Sequence, residues 1–200
     1  MNKIGIMGGT FDPIHEGHLA LARAAYEELK LDTVLFIPAK NPPHKENSGI
    51  TDEQDRSMMV QLALQDEPAF SYSDIEMKRD GMTYTVDTLH LLTKQYPDAR
   101  LYFIVGADSL LYLDKWRKPE QIFSLAVVVA AVRDNADRTV LEEKKEELLA
   151  EFGGEIVLLS LKKIDISSTD IRRDVKEHKK IGTRVPPLVA DYIYDKGLYL

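Results

Sequence analysis

Cysteine is absent from this chain of 200 residues, which excludes a disulfide framework and thiolate chemistry. Long apolar segments are also missing. The longest run, from Leu125 to Val132, has only eight residues, whereas a membrane-spanning helix needs roughly 20. The N-terminus lacks a charged region followed by an apolar stretch and a small-residue cleavage site. We therefore expect a cytoplasmic protein that has no membrane partner.

Basic residues are outnumbered, because 26 Lys and Arg face 33 Asp and Glu and the formal net charge is −7. A general nucleic-acid binder would carry an excess of positive charge, so we expect no nucleic-acid partner. An acidic protein that handles anions must concentrate its cations and helix N-termini in a small region. Any anion-binding function must therefore reside in a local site.

Short apolar runs alternate with helical patterns along the whole chain. Near-continuous apolar runs between helices predict the α/β class, with a Rossmann-like, doubly wound, mostly parallel sheet and helices on both faces. The length fits a single domain over residues 1–200 with a small C-terminal helical portion from about residue 166. The predicted strands are Ile4–Met7, Thr33–Ile37, Phe70–Ile75, Leu101–Val105, Leu125–Val132 and Ile156–Leu159, and the alternating pattern of the third is typical of a sheet edge.

The stretch Gly8–His18 is a glycine-containing turn between the first predicted strand and a predicted helix. Open α/β sheets bind nucleotides at the carboxyl ends of their strands, which is where this turn falls. Gly8 and Gly9 allow backbone N–H groups to approach an anion without a Cβ in the way. The stretch lacks the Gly-Lys-Ser/Thr of a P-loop and the Gly-x-Gly-x-x-Gly of a dinucleotide site, which argues against P-loop kinases and Rossmann dehydrogenases.

Two histidines, His15 and His18, are three residues apart at the start of the predicted helix. That spacing would place both imidazoles on one face of the first turn, beside unpaired N–H groups and the positive end of the helix dipole. Imidazoles there could donate to phosphate oxygens and stabilise charge on a leaving group. A lone histidine would more simply be a surface or capping residue, but the pair in this context favours catalysis.

The stretch Gly8–His18 resembles the His-x-Gly-His signature of a nucleotidyltransferase superfamily. Ile166–Arg172 resembles its second signature, Ile-Ser-Ser-Thr-x-Ile-Arg. Since the two signatures lie near opposite ends, the resemblance covers nearly the whole chain. Within the superfamily the chain is similar to the bacterial nicotinate-mononucleotide adenylyltransferases. The resemblance implies transfer of the adenylyl group of ATP to nicotinate mononucleotide in NAD biosynthesis, by in-line attack of the acceptor phosphate on the α-phosphorus.

The resemblance also assigns roles to individual residues, with His15 and His18 as the catalytic pair. It implies that ATP is bound by Gly8, Gly9, Thr10, Phe11, Lys45, Gly106, Asp108, Arg133, Ser167, Ser168, Thr169 and Arg172. It implies that the mononucleotide is bound by His44, Tyr84, Thr85 and Trp116. Mg²⁺ is expected to accompany ATP, held mostly by phosphate oxygens and water, so the sequence names no protein ligand for it.

Each of these assignments has a plainer alternative when the residues are considered alone. The proline-rich segment Lys40–Gly49 could be a lid that brings positive charge to phosphates, or an ordinary surface loop. Asp108 could accept from ribose hydroxyls, cap a helix that starts at Ser109, or do both. Ser167 or Ser168 could simply cap a helix.

The segment after Gly81 has a plain alternative too. Thr83 or Thr85 could cap an ordinary helix, or the N-terminus of that helix could hold the nicotinate carboxylate. Trp116 could stack on a pyridine ring or merely pack at the periphery. In the same way, Thr51 is expected to cap the helix that follows the proline-rich segment.

Other functions stay open at this point. The acceptor could instead be nicotinamide mononucleotide, phosphopantetheine or flavin mononucleotide. From another class, the chain could be a non-catalytic nucleotide sensor, although the intact histidine pair and the complete second signature weigh against a sensor. Exposed sheet edges and the C-terminal helix leave room for a homodimer.

Overall fold

The computed structural model describes residues 2–41, 49–132, 135–161 and 164–200, with the backbone alone at 135–137. Its sheet is parallel at every described pairing, in the order β3-β2-β1-β4-β5-β6. This confirms the predicted α/β class. The strands are β1 (Asn2–Gly9), β2 (Thr33–Pro38), β3 (Phe70–Tyr72), β4 (Ala99–Val105), β5 (Ala126–Val132) and β6 (Ile156–Ser160).

Helices cover both faces of the sheet, as a doubly wound fold requires. On one face Leu19, Met59, Ile171 and Val189 join a single buried cluster, and on the other Leu89 and Leu148 belong to a second. The helices are α1 (Glu16–Leu29), α2 (Glu53–Ala63), α3 (Thr85–Gln95), α4 (Ala107–Leu111), α5 (Pro119–Leu125), α6 (Asn135–Phe152), α7 (Ser168–Lys176) and α8 (Pro187–Lys196), with 3-10 turns at Leu113–Lys115 and Gly182–Arg184.

Two local predictions need correction. The third strand ends at Tyr72 rather than Ile75, because the backbone turns there and Lys78 N–H bonds to the Asp74 carbonyl; its place at the sheet edge is confirmed. The N-cap of α2 is Asp52, whose carboxylate accepts from Gln54 N–H at 2.8 Å, rather than Thr51. Thr51 N–H donates instead to the carboxylate of Asp12 at 3.3 Å.

A crevice opens between β1 and β4, where the order of strands reverses direction along the sheet. Pairing of β1 with β4 ends at Ile6 and Phe103, whereas pairing of β1 with β2 continues to Gly9 and Pro38. The last three residues of β1 therefore have no partner strand on the β4 side. Ligands of open α/β sheets bind at such a switch point, so the topology itself directs attention to Gly8 and Gly9.

Candidate active site

The two histidines of the first signature lie side by side at the start of α1. His15 is the N-cap residue and His18 is the third residue of the helix, so the helix begins two residues later than Ile14. Their rings stack with centroids 3.7 Å apart at an angle of 26°. The backbone N–H of His15 donates to Nδ1 of His18 at 3.2 Å. A neutral His18 must therefore carry its proton on Nε2, which leaves that N–H as its donor.

Both imidazoles are held in the neutral state. Burial lowers the pKa of His15 to about 4, although an interaction of the ring N–H with the residue's own backbone carbonyl opposes the shift. Burial, and to a lesser extent the charge of His15, lowers the pKa of His18 well below its ordinary value. Near pH 7 each ring thus offers an N–H donor rather than a full positive charge, and an arriving phosphate would favour protonation.

Two neighbours explain why the imidazoles adopt this arrangement. A Cβ on Gly17 would lie 3.0 Å from Nδ1 and 3.1 Å from Cε1 of His15, so only glycine leaves the ring in place. The ring of Phe11 is buried and meets the ring of His18 edge-on, with centroids 5.1 Å apart. Any contact of Phe11 with a nucleotide would therefore come from its backbone.

Two cavities meet at the glycines of the turn. The first, which we call the histidine cavity, has a volume of about 370 Å³, and the second, the threonine cavity, about 500 Å³. Both are lined by Gly8, Gly9, Phe103, Ser109 and Trp116. The histidine cavity adds His15, His18, Gly106, Ser167 and Ser168, and the threonine cavity adds Thr10, Glu76, Thr83, Tyr84, Thr85, Lys115 and Arg117.

The second signature docks directly on the first. The hydroxyl of Ser168 donates to the carbonyl of Pro13 at 2.9 Å, although the two residues are 155 apart in sequence. Nη1 of Arg172 donates to the carbonyl of Asp12 at 2.7 Å. Ser167 is the N-cap of α7 and accepts from Asp170 N–H at 3.0 Å, which resolves the choice between the two serines. The two signatures are thus in direct contact in the fold.

A buried arginine that the sequence did not flag braces the same turn. Arg56 is fully buried on α2 and donates to the carbonyls of Thr10 at 2.8 Å, Ala39 at 2.7 Å and Thr51 at 3.0 Å. These carbonyls belong to the segments that follow β1, follow β2 and precede α2. The guanidinium therefore fixes three chain segments around Thr10. Its sequence signal was a single arginine on the otherwise apolar side of a helix.

The wall of the threonine cavity contains the start of α3. Tyr84 is the N-cap residue and makes no side-chain cap, so neither Thr83 nor Thr85 caps this helix. The hydroxyl of Thr83 donates instead to the carbonyl of Asn41 at 3.2 Å. Thr85 is the first helical residue, and the first N–H groups of a helix have no intrahelical partner. The cavity therefore has backbone donors in its wall.

Trp116 lies at the junction of the two cavities. Its side chain is half-buried and meets the ring of Phe103 with centroids 6.0 Å apart. Because it lines both cavities, packing and ligand contact can be combined in this one residue.

The remaining predicted residues fall outside the two cavities or outside the described residues. Asp108 is exposed as the second residue of α4, whose N-cap is Gly106, so the predicted capping role of Asp108 is wrong and its ribose contact stays a prediction. Thr169 is exposed and accepts from Nη2 of Arg172 at 3.4 Å. His44, Lys45 and Arg133 lie outside the described residues.

Comparison with known proteins agrees with this geometry. The cytidylyltransferase-like family model matches residues 6–174. A relative from Lachnoclostridium phytofermentans, named a probable nicotinate-nucleotide adenylyltransferase, is 46% identical over 200 residues and covers 100% of both chains. The chain belongs to this family. A relative of the same name from Clostridium perfringens strain 13 is 43% identical over 199 residues, covering 100% of this chain and 98% of its own.

Solved structures share the fold of this chain. The Plasmodium falciparum nicotinic acid mononucleotide adenylyltransferase complexed with NaAD superposes with a TM-score of 0.79 at 22% identity, covering 100% of this chain and 98% of that one. The same enzyme complexed with APC gives a TM-score of 0.78 at 21% identity with the same coverage. At this level of identity the likeness concerns the fold alone.

Two further observations bear on this nicotinate-nucleotide adenylyltransferase family member. Within the described ranges, no three His, Cys, Asp or Glu side chains converge as metal ligands. Among those same residues, no helix combines the length and the apolarity needed to cross a bilayer.

Proposed function

We propose that the protein transfers the adenylyl group of ATP to nicotinate mononucleotide, giving nicotinate adenine dinucleotide and pyrophosphate. The observation that carries the proposal is the junction of two ligand-sized cavities at Gly8 and Gly9, directly beside the stacked imidazoles of His15 and His18. A reaction that joins two nucleotides needs two sites that open on one reacting phosphate. The full-length relatives at 43–46% identity support the same assignment.

In this proposal ATP occupies the histidine cavity and the mononucleotide occupies the threonine cavity. A phosphate oxygen of the mononucleotide forms a bond to the α-phosphorus of ATP, and the bond from that phosphorus to the bridging oxygen of pyrophosphate breaks on the opposite side. The substrate brings its own nucleophile, so no covalent intermediate with the protein is needed. Catalysis then consists of positioning and charge stabilisation.

The histidines would donate to the transferring phosphate and to the pyrophosphate that leaves. His18 can do so through Nε2, since its Nδ1 is occupied by the N–H of His15. Backbone N–H groups at Gly8 and Gly9 would approach the same phosphates. Ser167 and Ser168 line the far wall of the cavity, and Lys45 and Arg133 are expected to add positive charge.

Mg²⁺ is proposed to enter with the triphosphate. Because the described residues present no cluster of three metal-ligating side chains, phosphate oxygens and water would supply most of its ligands. The ion would neutralise part of the negative charge that the phosphates carry.

We also propose the partners, the location, the domain organisation and the oligomeric state of the protein. The net charge of −7 supports a protein with no nucleic-acid partner, and we propose a cytoplasmic location. The C-terminal helices α7 and α8 contribute Ile171 and Val189 to the same buried cluster as α1, which supports one cooperative domain. We also propose that the protein forms a homodimer, which sedimentation analysis would test.

The experiment is an acceptor panel with ATP and Mg²⁺, in which pyrophosphate release is followed. Nicotinate mononucleotide should be the best acceptor, ahead of nicotinamide mononucleotide, phosphopantetheine and flavin mononucleotide. Nucleotide binding without pyrophosphate release from any acceptor would show a sensor instead. Preference for another acceptor would keep adenylyl transfer and overturn the choice of substrate.

Acid should be preferred over amide because the wall of the threonine cavity presents the N-terminus of α3. Its N–H groups and partial positive charge suit a ring carboxylate, whereas an amide NH₂ would place a donor against donors. Such a mismatch should reduce kcat/KM by roughly 10²-fold. Equal wild-type values for the two mononucleotides would refute the carboxylate site.

A further inference from the structure

The guanidinium of Arg117 forms part of the rim of the threonine cavity. Arg117 lies between the 3-10 turn Leu113–Lys115 and α5, on the side of the cavity that faces α3. Its Cζ is 4.4 Å from the centroid of the Tyr84 ring. A guanidinium over an aromatic face is stabilised by the ring quadrupole, so its plane is held against that wall although the residue is exposed.

Two of the charged side chains that line this cavity, Lys115 and Glu76, have polar partners in the described structure. The ammonium of Lys115 lies 2.9 Å from the carboxylate of Asp114. The carboxyl of Glu76 is buried and accepts from the hydroxyl of Thr88 at 2.6 Å. Within the part of the chain that the structure describes, Arg117 donates no hydrogen bond and lies within 4.0 Å of no carboxylate. An anion that enters the cavity therefore meets one lining cation whose donors are unoccupied.

The guanidinium of Arg117 lies beside the N-terminus of α3. Tyr84, which the guanidinium covers, is the N-cap residue of α3, and the donors of Thr85 follow immediately. An anion held at the start of α3 would thus have backbone donors on one side and the guanidinium on another. Guanidinium and carboxylate match in shape and can form two parallel charge-assisted hydrogen bonds. A neutral amide offers neither the charge nor the second acceptor.

We propose that Arg117 is a specificity-determining residue that recognises the negatively charged ring substituent of the pyridine mononucleotide. The proposal rests on the function proposed above and deepens it, since it places acid recognition on a side chain as well as on the backbone of α3. The carboxylate does not react, so its contact with Arg117 is the same before and during phosphoryl transfer. Interactions of that kind act on KM and leave kcat unchanged.

The test measures kcat and KM for nicotinate and nicotinamide mononucleotides with wild type, Arg117→Gln and Arg117→Lys. Arg117→Gln should raise KM for the acid about tenfold and leave its kcat and both constants of the amide near wild type. Arg117→Lys should fall between the two, because it keeps the charge and loses the planar fork. The control is Arg100→Gln, which removes an exposed arginine from a tyrosine ring at the opposite end of β4, where Cζ lies 5.6 Å from the centroid of Tyr102. This control also removes the exposed ion pair of Arg100 with Glu155.

The outcomes separate this proposal from the function on which it rests. An unchanged acid-to-amide ratio in Arg117→Gln, with a wild type that prefers the acid, overturns the role of Arg117 alone. Equal losses for acid and amide would mean that Arg117 only orders Tyr84, which also overturns it. A wild type that does not distinguish the two mononucleotides overturns both the acid site and this proposal. Because Arg117 is exposed, both Arg117 variants should keep the thermal midpoint of the wild type.

Discussion

The histidine cavity and the threonine cavity share a wall but are built in different ways. The histidine cavity is formed largely by the two signatures, each of which is a continuous stretch of chain. The side chains of Ser168 and Arg172 join the second signature to the backbone of the first. The threonine cavity is formed by side chains from separate elements, among them Glu76, Tyr84 and Arg117. The first arrangement fixes the backbone of the glycine turn, and the second can vary one side chain at a time. In the proposed function, phosphoryl transfer is thus assigned to the rigid half of the site and the choice of acceptor to the adaptable half.

The two cavities also differ in the charge of the side chains that line them. Burial depresses the pKa of both histidines, so the histidine cavity is neutral until phosphate arrives. In the threonine cavity burial raises the pKa of Glu76, although the hydrogen bond from Thr88 opposes the shift. Near pH 7 the two histidine rings therefore add no charge to the first cavity, whereas the cations of Lys115 and Arg117 line the second.

The largest effect should come from removing a donor in the rigid half. We expect His18→Ala to lower kcat/KM by roughly 10²–10³ with both mononucleotides, since loss of one preorganised donor to a transition state has that cost. Binding of ATP should weaken much less. The matched control is His90→Ala, which removes a surface histidine whose Nε2 lies 3.0 Å from Oε1 of Gln121. A His18 variant with nearly normal turnover would leave that residue as a helix-capping group only.

Two glycines of the same strand should separate binding from stability. A Cβ on Gly8 meets no heavy atom within 4 Å of the described structure, yet Gly8 lines both cavities. A Cβ on Gly5 would lie 2.9 Å from the side chains of Leu31 and Val34. Gly8→Ala should raise KM for ATP about tenfold without destabilising the fold, because the methyl group keeps phosphate from the backbone. Gly5→Ala should lower the free energy of unfolding by about 1–3 kcal/mol through overpacking.

Urea unfolding and ATP-dependent kinetics on both variants provide the measurement. If Gly8→Ala binds ATP normally, phosphate does not approach the backbone at that point. If it unfolds as easily as Gly5→Ala, the open space beside Gly8 is not open in solution.

A smaller and unselective effect is expected at the junction of the two cavities. Trp116→Ala should reduce kcat/KM for the acid and the amide by similar factors of about three to ten, because an aromatic pair contributes about 0.5–1.5 kcal/mol beyond its buried area. Thr85→Ala should instead harm the acid selectively and weakly, since the backbone donors at the start of α3 survive the change. Kinetics with both mononucleotides on both variants distinguish a stacking residue from an acid-binding one. Selective loss of the acid in Trp116→Ala would contradict stacking on the shared ring.

Sequence reasoning located the strand-to-helix turn of the histidine cavity well, for a physical reason. A turn that must present backbone N–H groups needs particular residues at consecutive positions, so Gly8–His18 can be recognised from the sequence alone. The strand pattern was equally legible, because burial of a parallel sheet on both faces demands apolar runs such as Ala126–Val132. What was missed depends on contacts between distant segments. Arg56 looks like any helix arginine until its four carbonyl acceptors are in place.

Helix boundaries and the adaptable half were predicted less well. Asp52 and Thr51 are both good N-caps, and tertiary contact decided between them, because Asp12 engages the N–H of Thr51. Glu76 and Arg117 have no sequence signal of their own, since a charged residue in a loop is usually solvated. Only the fold brings them to one cavity with Tyr84.

The last prediction changes no residue and no rate, and it concerns the protonation of the histidine pair. In the free protein the imidazole of His15 should titrate near pH 4, because burial disfavours its cation, and His18 should be neutral with its proton on Nε2. The unfolded chain protonates histidine near 6.5, so it binds more protons than the fold between about pH 6.5 and pH 4. Stability from His15 is therefore complete above about pH 6.5 and is lost as pH falls towards 4.

A non-hydrolysable ATP analogue should raise the pKa of at least one ring, since nearby negative charge favours the imidazolium. Histidine NMR titration with and without the analogue provides the measurement. A His15 that already titrates near 6.5 in the free protein would show that the histidine cavity is open to water, and the contrast between a neutral and a charged cavity would then disappear.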